Sequence, residues 1–231
     1  MTTSSKITAE ALQEKLRREV LVIPHGIDVE KFTHAIGEID VRERYRISCD
    51  SAIVTYLGRL TLDKRVHTII DAFVTVRGMR KACLVIAGVG PERGSLEERA
   101  KALGIDGDAR FTGYIEEEVK AALLRQSSVV ILVSKADLVP LVLVEAMACG
   151  TPVIGSRAGG IPNLIEDGKT GTLVRGEDPR ELTQKILDVL SEDDLSAMTN
   201  NAKDYVMHNY STQVAARAFV DVYRKSMHVY D

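Results

Sequence analysis

Short β-branched runs alternate with longer helical patterns along most of this chain, and that alternation leaves few folds open. The runs fall at 20–24, 52–57, 83–88, 109–113, 129–134, 152–156 and 172–175. Several are apolar throughout, as strands are when helices cover both of their faces. Helical periodicity occupies 65–78, 92–103, 116–126, 140–149 and 160–166. Such an order predicts an α/β fold: a doubly wound, Rossmann-like parallel sheet with right-handed crossovers and helices on both faces.

After residue 178 only helical patterns remain, so extra C-terminal helices are expected. Asp178 as N-cap, Pro179 at the first helical position and Glu181 two residues on make a strong helix start. Ser211 is expected to cap the last helix, with Val214, Ala218, Val222 and Tyr223 sharing a face. Tyr205, Tyr210, Phe219 and Tyr223 read as packing residues. Segment 8–18 reads as a helix ahead of the first strand, with no partner strand before it. It looks like a residual interdomain segment (1–18), and 19–231 like one domain.

Composition narrows the function. Of the 231 residues 45% are hydrophobic, enough for a core without disulfides or metal. Thirty basic against 33 acidic residues leave a net charge of −3, without the basic excess that nucleic acid selects. Cys49, Cys83 and Cys149 form no CxxC pair, and the five histidines show no ligand spacing, so no metal site and a reduced, cytoplasmic chain are expected. The start is polar and unlike a signal peptide. The longest apolar stretch, 138–149, is interrupted by Glu145 and is too short to cross a bilayer.

Ligands of doubly wound sheets bind outside the carboxyl ends of the strands. That directs attention to the loops 58–64, 88–91, 113–115, 134–145 and 156–160. Gly58, Arg59 and Lys64 read either as a turn glycine with two solvated cations or as a pair converging on one anion. Gly88 and Gly90 give backbone room near a ligand or a simple turn; with Gly94 one residue late, they are not the GxGxxG fingerprint. In 134–145 a helix is expected to open at Pro140, its first amides facing the crevice where phosphate binds. Asp137 caps that helix or reaches a polyhydroxylated ligand. Glu145, inside LVLVEAMA, would be costly to bury unpaired, so it either finds a partner or grips a ligand. Gly159-Gly160 brings backbone close to a ligand or supplies a turn, and His25 organises a loop at a strand end.

Taken in order, VIPHGID, YLGRLTLDK, LVIAGVGPE, RFTGYI, EAMACGTPVIGS, AGGIPNLIEDGKTGTLV and the closing DVYRK resemble the carboxyl-terminal domain of family 4 glycosyltransferases. The resemblance runs from about residue 19 to 226 and implies one half of the two-domain GT-B architecture. It implies a metal-independent, retaining transfer from a UDP-, GDP- or ADP-linked sugar, a substrate rather than a cofactor. Arg59 and Lys64 would neutralise the departing diphosphate, and Asp137 would contact the donor sugar. Backbone around Tyr114 and Ile115 would hold the base, Glu145 the ribose, and Gly58, Gly88, Gly90, Pro140, Leu141 and Val142 would line the donor site. The acceptor would need a separate amino-terminal domain, in cis or on another chain. Asp137 stands where the family has Glu, Pro140 where it has Gly, and Asn163 where it has Glu. A nucleotide-sugar-binding module without catalysis and a GT-B epimerase are alternatives to the transferase.

Overall fold

The computed structural model describes residues 1–33 and 39–227. The chain opens with β1 (Thr2–Thr3), α1 (Lys6–Leu16), β2 (Leu21–Val22), α2 (Val29–Thr33) and α3 (Val41–Tyr45). Then come β3 (Ala52–Leu57), α4 (Val66–Met79), β4 (Ala82–Ala87), α5 (Arg93–Ala102) and β5 (Ala109–Gly113). The alternation continues through α6 (Glu117–Gln126), β6 (Val129–Leu132), α7 (Leu141–Ala148), β7 (Val153–Ser156), α8 (Ile161–Leu164) and β8 (Thr172–Val174). Three helices close it: α9 (Pro179–Ser191), α10 (Ser196–Tyr210) and α11 (Thr212–Met227).

Among the described residues, β3 to β8 form one six-stranded sheet in the order β5-β4-β3-β6-β7-β8, with every pairing parallel. The chain winds outward from β3 in one direction and from β6 in the other. The expected doubly wound sheet is therefore present, and the winding reverses between β3 and β6. At that switch point the loops after the two strands part and leave a crevice.

Strand alternation sorts the core. Val54, Tyr56, Leu84 and Ile86 face one cluster with Ile69, Ile70 and Phe73 of α4. Ile53, Cys83 and Val85 face another with Val41 and Leu123. Both faces are covered, which is why these strands are apolar at nearly every position.

The structure corrects several expectations. The run at 20–24 does not join the main sheet: β2 pairs in parallel with β1, Thr2 opposite Leu21 and Thr3 opposite Val22. The leading helix thus has a strand before it after all. Ser5, whose hydroxyl accepts from the Thr8 amide at 3.4 Å, caps α1 between the two short strands. A two-residue strand is too brief to leave a periodic signal.

Pro140 precedes α7 rather than opening it, because its ψ of 78° lies outside the helical range. The expected helix at 160–166 shrinks to the single turn Ile161–Leu164, stopped by extended Ile165. Tyr223 is 65% exposed and Phe219 47%, so neither is the packing residue expected. Val214, Ala215 and Ala218 take the inner face of α11 instead, and Ser211 caps that helix through the Val214 amide at 3.4 Å.

Candidate functional site

Two βα loops zip together at the carboxyl end of β3. Gly58 donates to the Ala87 carbonyl at 3.0 Å, Leu60 to Val89 at 2.9 Å and Glu92 back to Leu60 at 3.0 Å. The approach is so close that a Cβ on Gly90 would stand 2.2 Å from the Leu60 oxygen. Gly90 therefore serves this backbone contact and does not line either cavity described below. Tyr56, fully buried, donates its hydroxyl to the Arg59 carbonyl at 2.6 Å and pins the turn. Burial pushes that phenol well above its ordinary pKa, so it remains a donor.

A second loop, 133–140, leaves β6. The Lys135 amide donates to Asp63 at 2.8 Å, joining it to the first loop. The Gly160 amide donates to the Asp137 carbonyl at 2.6 Å. A Cβ on Gly160 would lie 1.9 Å from the Leu138 oxygen, so the Gly159-Gly160 pair buttresses the Asp137 loop. The Leu141 amide turns back to Val139 at 3.0 Å, while the Val142 amide takes no partner among the described residues. Only the second of these amides is available at the mouth of α7.

Two cavities of about 310 Å³ each meet at Leu57, Gly58 and Arg59. One is walled by Gly88, Tyr114, Ile115, Glu117 and Lys120. Tyr114 is 78% exposed at its rim. The other is walled by Lys64, Asp137, Pro140, Leu141, Val142 and Glu145. The tertiary fold thus gathers Arg59, Lys64, Asp137 and Glu145 into one crevice.

Their surroundings differ. Arg59 is exposed and has no carboxylate within ion-pair distance among the described residues. The Lys64 side chain is 9% exposed and donates to Asp137 Oδ1 at 2.6 Å, with Asp63 at 3.7 Å. Asp137 Oδ2 is buried without a partner, an acceptor left unsatisfied.

Glu145, at 12% exposure, is not alone either: Lys120 Nζ lies 2.7 Å from its Oε1. The same ammonium reaches Glu117 at 2.9 Å, and Lys31 reaches Glu117 at 3.2 Å. Burial raises the Glu145 pKa, and Lys120 pulls it back. Burial also opposes the Lys120 charge, but its bonds to Glu145 and Glu117 outweigh that and raise its pKa.

Sequence reading missed Lys120 and Glu117. Their spacing looks like an ordinary i,i+3 pair on a solvated helix face, and nothing local links them to a residue 25 positions on. His25 is exposed and outside the crevice. Asn163 is exposed too, its carbonyl accepting from Tyr205 at 3.1 Å.

A six-stranded parallel sheet with a charged crevice at its switch point is the arrangement of a doubly wound, ligand-binding α/β fold. The model of the family described as glycosyl transferases group 1 matches residues 38–205, and the chain belongs to that family. It is 30% identical to the D-inositol 3-phosphate glycosyltransferase of Streptomyces scabiei, over 96% of this chain and 53% of that protein. It is 30% identical to the N-acetyl-alpha-D-glucosaminyl L-malate synthase of Bacillus anthracis, over 79% of this chain and 48% of that one. The chain spans about half the length of the curated relatives it matches.

Among solved structures, Anabaena HepE in complex with UDP and glucose superposes with a TM-score of 0.88 at 21% identity. That match covers 97% of this chain and 62% of HepE. The C-terminal domain of the group 1 protein LpcC from Francisella tularensis matches at 0.71 and 24% identity, over 81% of this chain and all of that domain. Among the described residues, no helix is long and apolar enough to cross a membrane.

Proposed function

We propose that this chain binds the nucleotide sugar of a family 4, retaining, metal-independent glycosyltransferase. The observation that carries this reading is the convergence of Arg59, Lys64, Asp137 and Glu145 on one crevice at the switch point. UDP in the HepE complex and the transferases among the relatives support it. Arg59 and Lys64 lie where a diphosphate could bridge them. As the bond between the anomeric carbon and the diphosphate oxygen breaks, the leaving group gains negative charge that two cations stabilise. Asp137, once its carboxylate turns from Lys64, accepts a donor-sugar hydroxyl. Glu145 accepts from ribose, and the Tyr114–Ile115 wall holds the base. The acceptor hydroxyl enters on the face the diphosphate leaves, which retains anomeric configuration. No cofactor takes part, and the reaction runs in the cytoplasm.

Transfer requires an acceptor-binding half, in cis or on another chain. Its support is the length of the relatives and the apolar side of α11, where Phe219, Val220, Tyr223 and Met227 are exposed. Donor and acceptor must be held about 3–3.5 Å apart in a site closed to water. We assign 1–18 to the segment between the halves and 19–231 to the donor domain.

One observation favours a second reading, a binding module without transfer: Asp137 sits on Lys64 and takes up its charge. Thermal-shift and calorimetric titration with UDP, GDP, ADP and their sugars tests the shared core. A ligand at 100 times its dissociation constant should stabilise the fold by about 2.7 kcal/mol. No response to any of them at millimolar concentration would end both readings. With the acceptor half supplied, sugar transfer selects the enzyme, and binding without transfer selects the module.

A further inference from the structure

The mechanism above gives Lys120 no task, although its ammonium is the best-connected cation of the crevice. It contacts Glu145 on α7 at 2.7 Å and Glu117 one turn back on α6 at 2.9 Å. It also lies 5.3 Å from the centre of the Phe32 ring, which shields it from water. Lys120 faces the cavity beside Tyr114, while Glu145 faces the cavity beside Asp137. The pair therefore forms part of the partition between the two spaces that a nucleoside diphosphate would occupy together.

We infer that Lys120 is a positioning residue for the nucleoside: it fixes the Glu145 carboxylate through Oε1 and leaves Oε2 to accept the ligand hydroxyls. This rests on the nucleotide-sugar reading given above. The geometry supports it in two ways. Oε1 accepts from Lys120, whereas Oε2 takes no hydrogen bond among the described residues. Both partners sit on helices anchored in the core, so the carboxylate is aimed before any ligand arrives, and less ordering is required on binding.

The ion pair also decides the charge of Glu145. Burial favours the protonated acid, and the Lys120 cation is the main force against it. Glu117 adds a weaker push toward protonation and Lys31 a weaker pull away from it. Arg59, Lys64 and Asp137 face Glu145 across the cavity. Cys149, just past the end of α7, is pushed up to about 12 by burial and stays a neutral thiol, with Arg125 and Lys203 acting on it electrostatically. A protonated Glu145 would compete with ribose as a donor rather than accept from it. Without Lys120, nucleoside binding should thus be strong above the raised pKa of Glu145 and fade as pH falls through it.

The test compares the full chain with Lys120→Met, Lys120→Arg, Glu145→Gln and the Lys120→Met/Glu145→Gln double variant. Calorimetry with UDP is run from mildly acidic to mildly alkaline pH, beside NMR titration of carboxyl-labelled glutamates in the ligand-free proteins. Lys120→Met should weaken UDP about fivefold near neutrality, the value of one lost hydrogen bond. The deficit should shrink as pH rises, and Glu145 should titrate higher than in the wild type. Lys120→Arg should restore both, and Lys120→Met should add little in the Glu145→Gln background. Lys120→Gln carries the same comparison if the Met variant does not fold.

An unchanged Glu145 titration in the variant would overturn the inference, as would full additivity of the two substitutions. Failure of the nucleotide-sugar reading has a different signature: the wild type itself gives no heat with UDP, GDP or ADP.

Discussion

Two lysine–carboxylate pairs flank the crevice at similar distances, and they are built on different supports. Lys64 and Asp137, 2.6 Å apart, both ride on βα loops. Those loops are held by backbone bonds to each other and to Gly160. Lys120 and Glu145, 2.7 Å apart, ride on packed helices, and Lys120 keeps Glu117 as a second anion. Lys64 has only the more distant Asp63 in reserve, and its main partner keeps an oxygen unsatisfied. The difference teaches that similar ion pairs can do opposite jobs. A phosphate can take Lys64 from Asp137, whose free acceptor then turns to a sugar hydroxyl. Taking Lys120 would uncover Glu145 and leave Glu117 with Lys31 alone, so that pair behaves as scaffold.

The largest expected effect belongs to the cation outside both pairs. Arg59→Ala should weaken nucleoside-diphosphate binding by about 1.5–3 kcal/mol, roughly tenfold or more, with melting temperature unchanged. An unaltered calorimetric titration would mean that the crevice cations do not meet the diphosphate.

Breaking the loop support comes next. In Gly160→Ala the added carbon would lie 1.9 Å from the Leu138 oxygen, so the Asp137 loop must shift. Overpacking of this kind costs about 1–3 kcal/mol, read as a lower urea midpoint. A wild-type midpoint would show that the loop yields freely and that the close Gly160 contact does not hold Asp137 in place.

Glu145→Gln probes the helix pair more gently. The amide keeps the shape, and Lys120 keeps Glu117, so the fold should survive while UDP affinity falls by about 1 kcal/mol. Lost stability with unchanged affinity in the folded fraction would make Glu145 a purely structural acid.

The smallest change has the opposite sign. Asp137→Asn removes the carboxylate that holds Lys64, so UDP should bind about twofold tighter, by about 0.5 kcal/mol for a pair that is partly solvated. In a transfer assay with the acceptor half supplied, turnover should fall. Weaker UDP binding by this variant would show that Asp137 does not compete for Lys64.

The order of βα units, the cover on both sheet faces, the Asp178 and Ser211 caps and the loops that carry the crevice were all legible in the sequence. Each follows from local periodicity or from a residue whose preference is intrinsic to its own backbone. Arg59, Lys64, Asp137 and Glu145 could be picked out because each follows a strand that ends at the switch point. Their partners could not. Glu145 looked costly because Lys120 lies 25 residues away, and Asp137 looked like a cap because Lys64 lies 73 residues away. The β1–β2 pairing escaped because two residues make no period, and Tyr223 looked buried because a helical face does not reveal whether anything covers it. The sequence by itself determined the elements, their winding and the strand ends at which chemistry collects. Only the tertiary structure decided which charges meet, because hydrogen bonds and ion pairs act over a few ångströms and the fold, not chain distance, sets who is within reach.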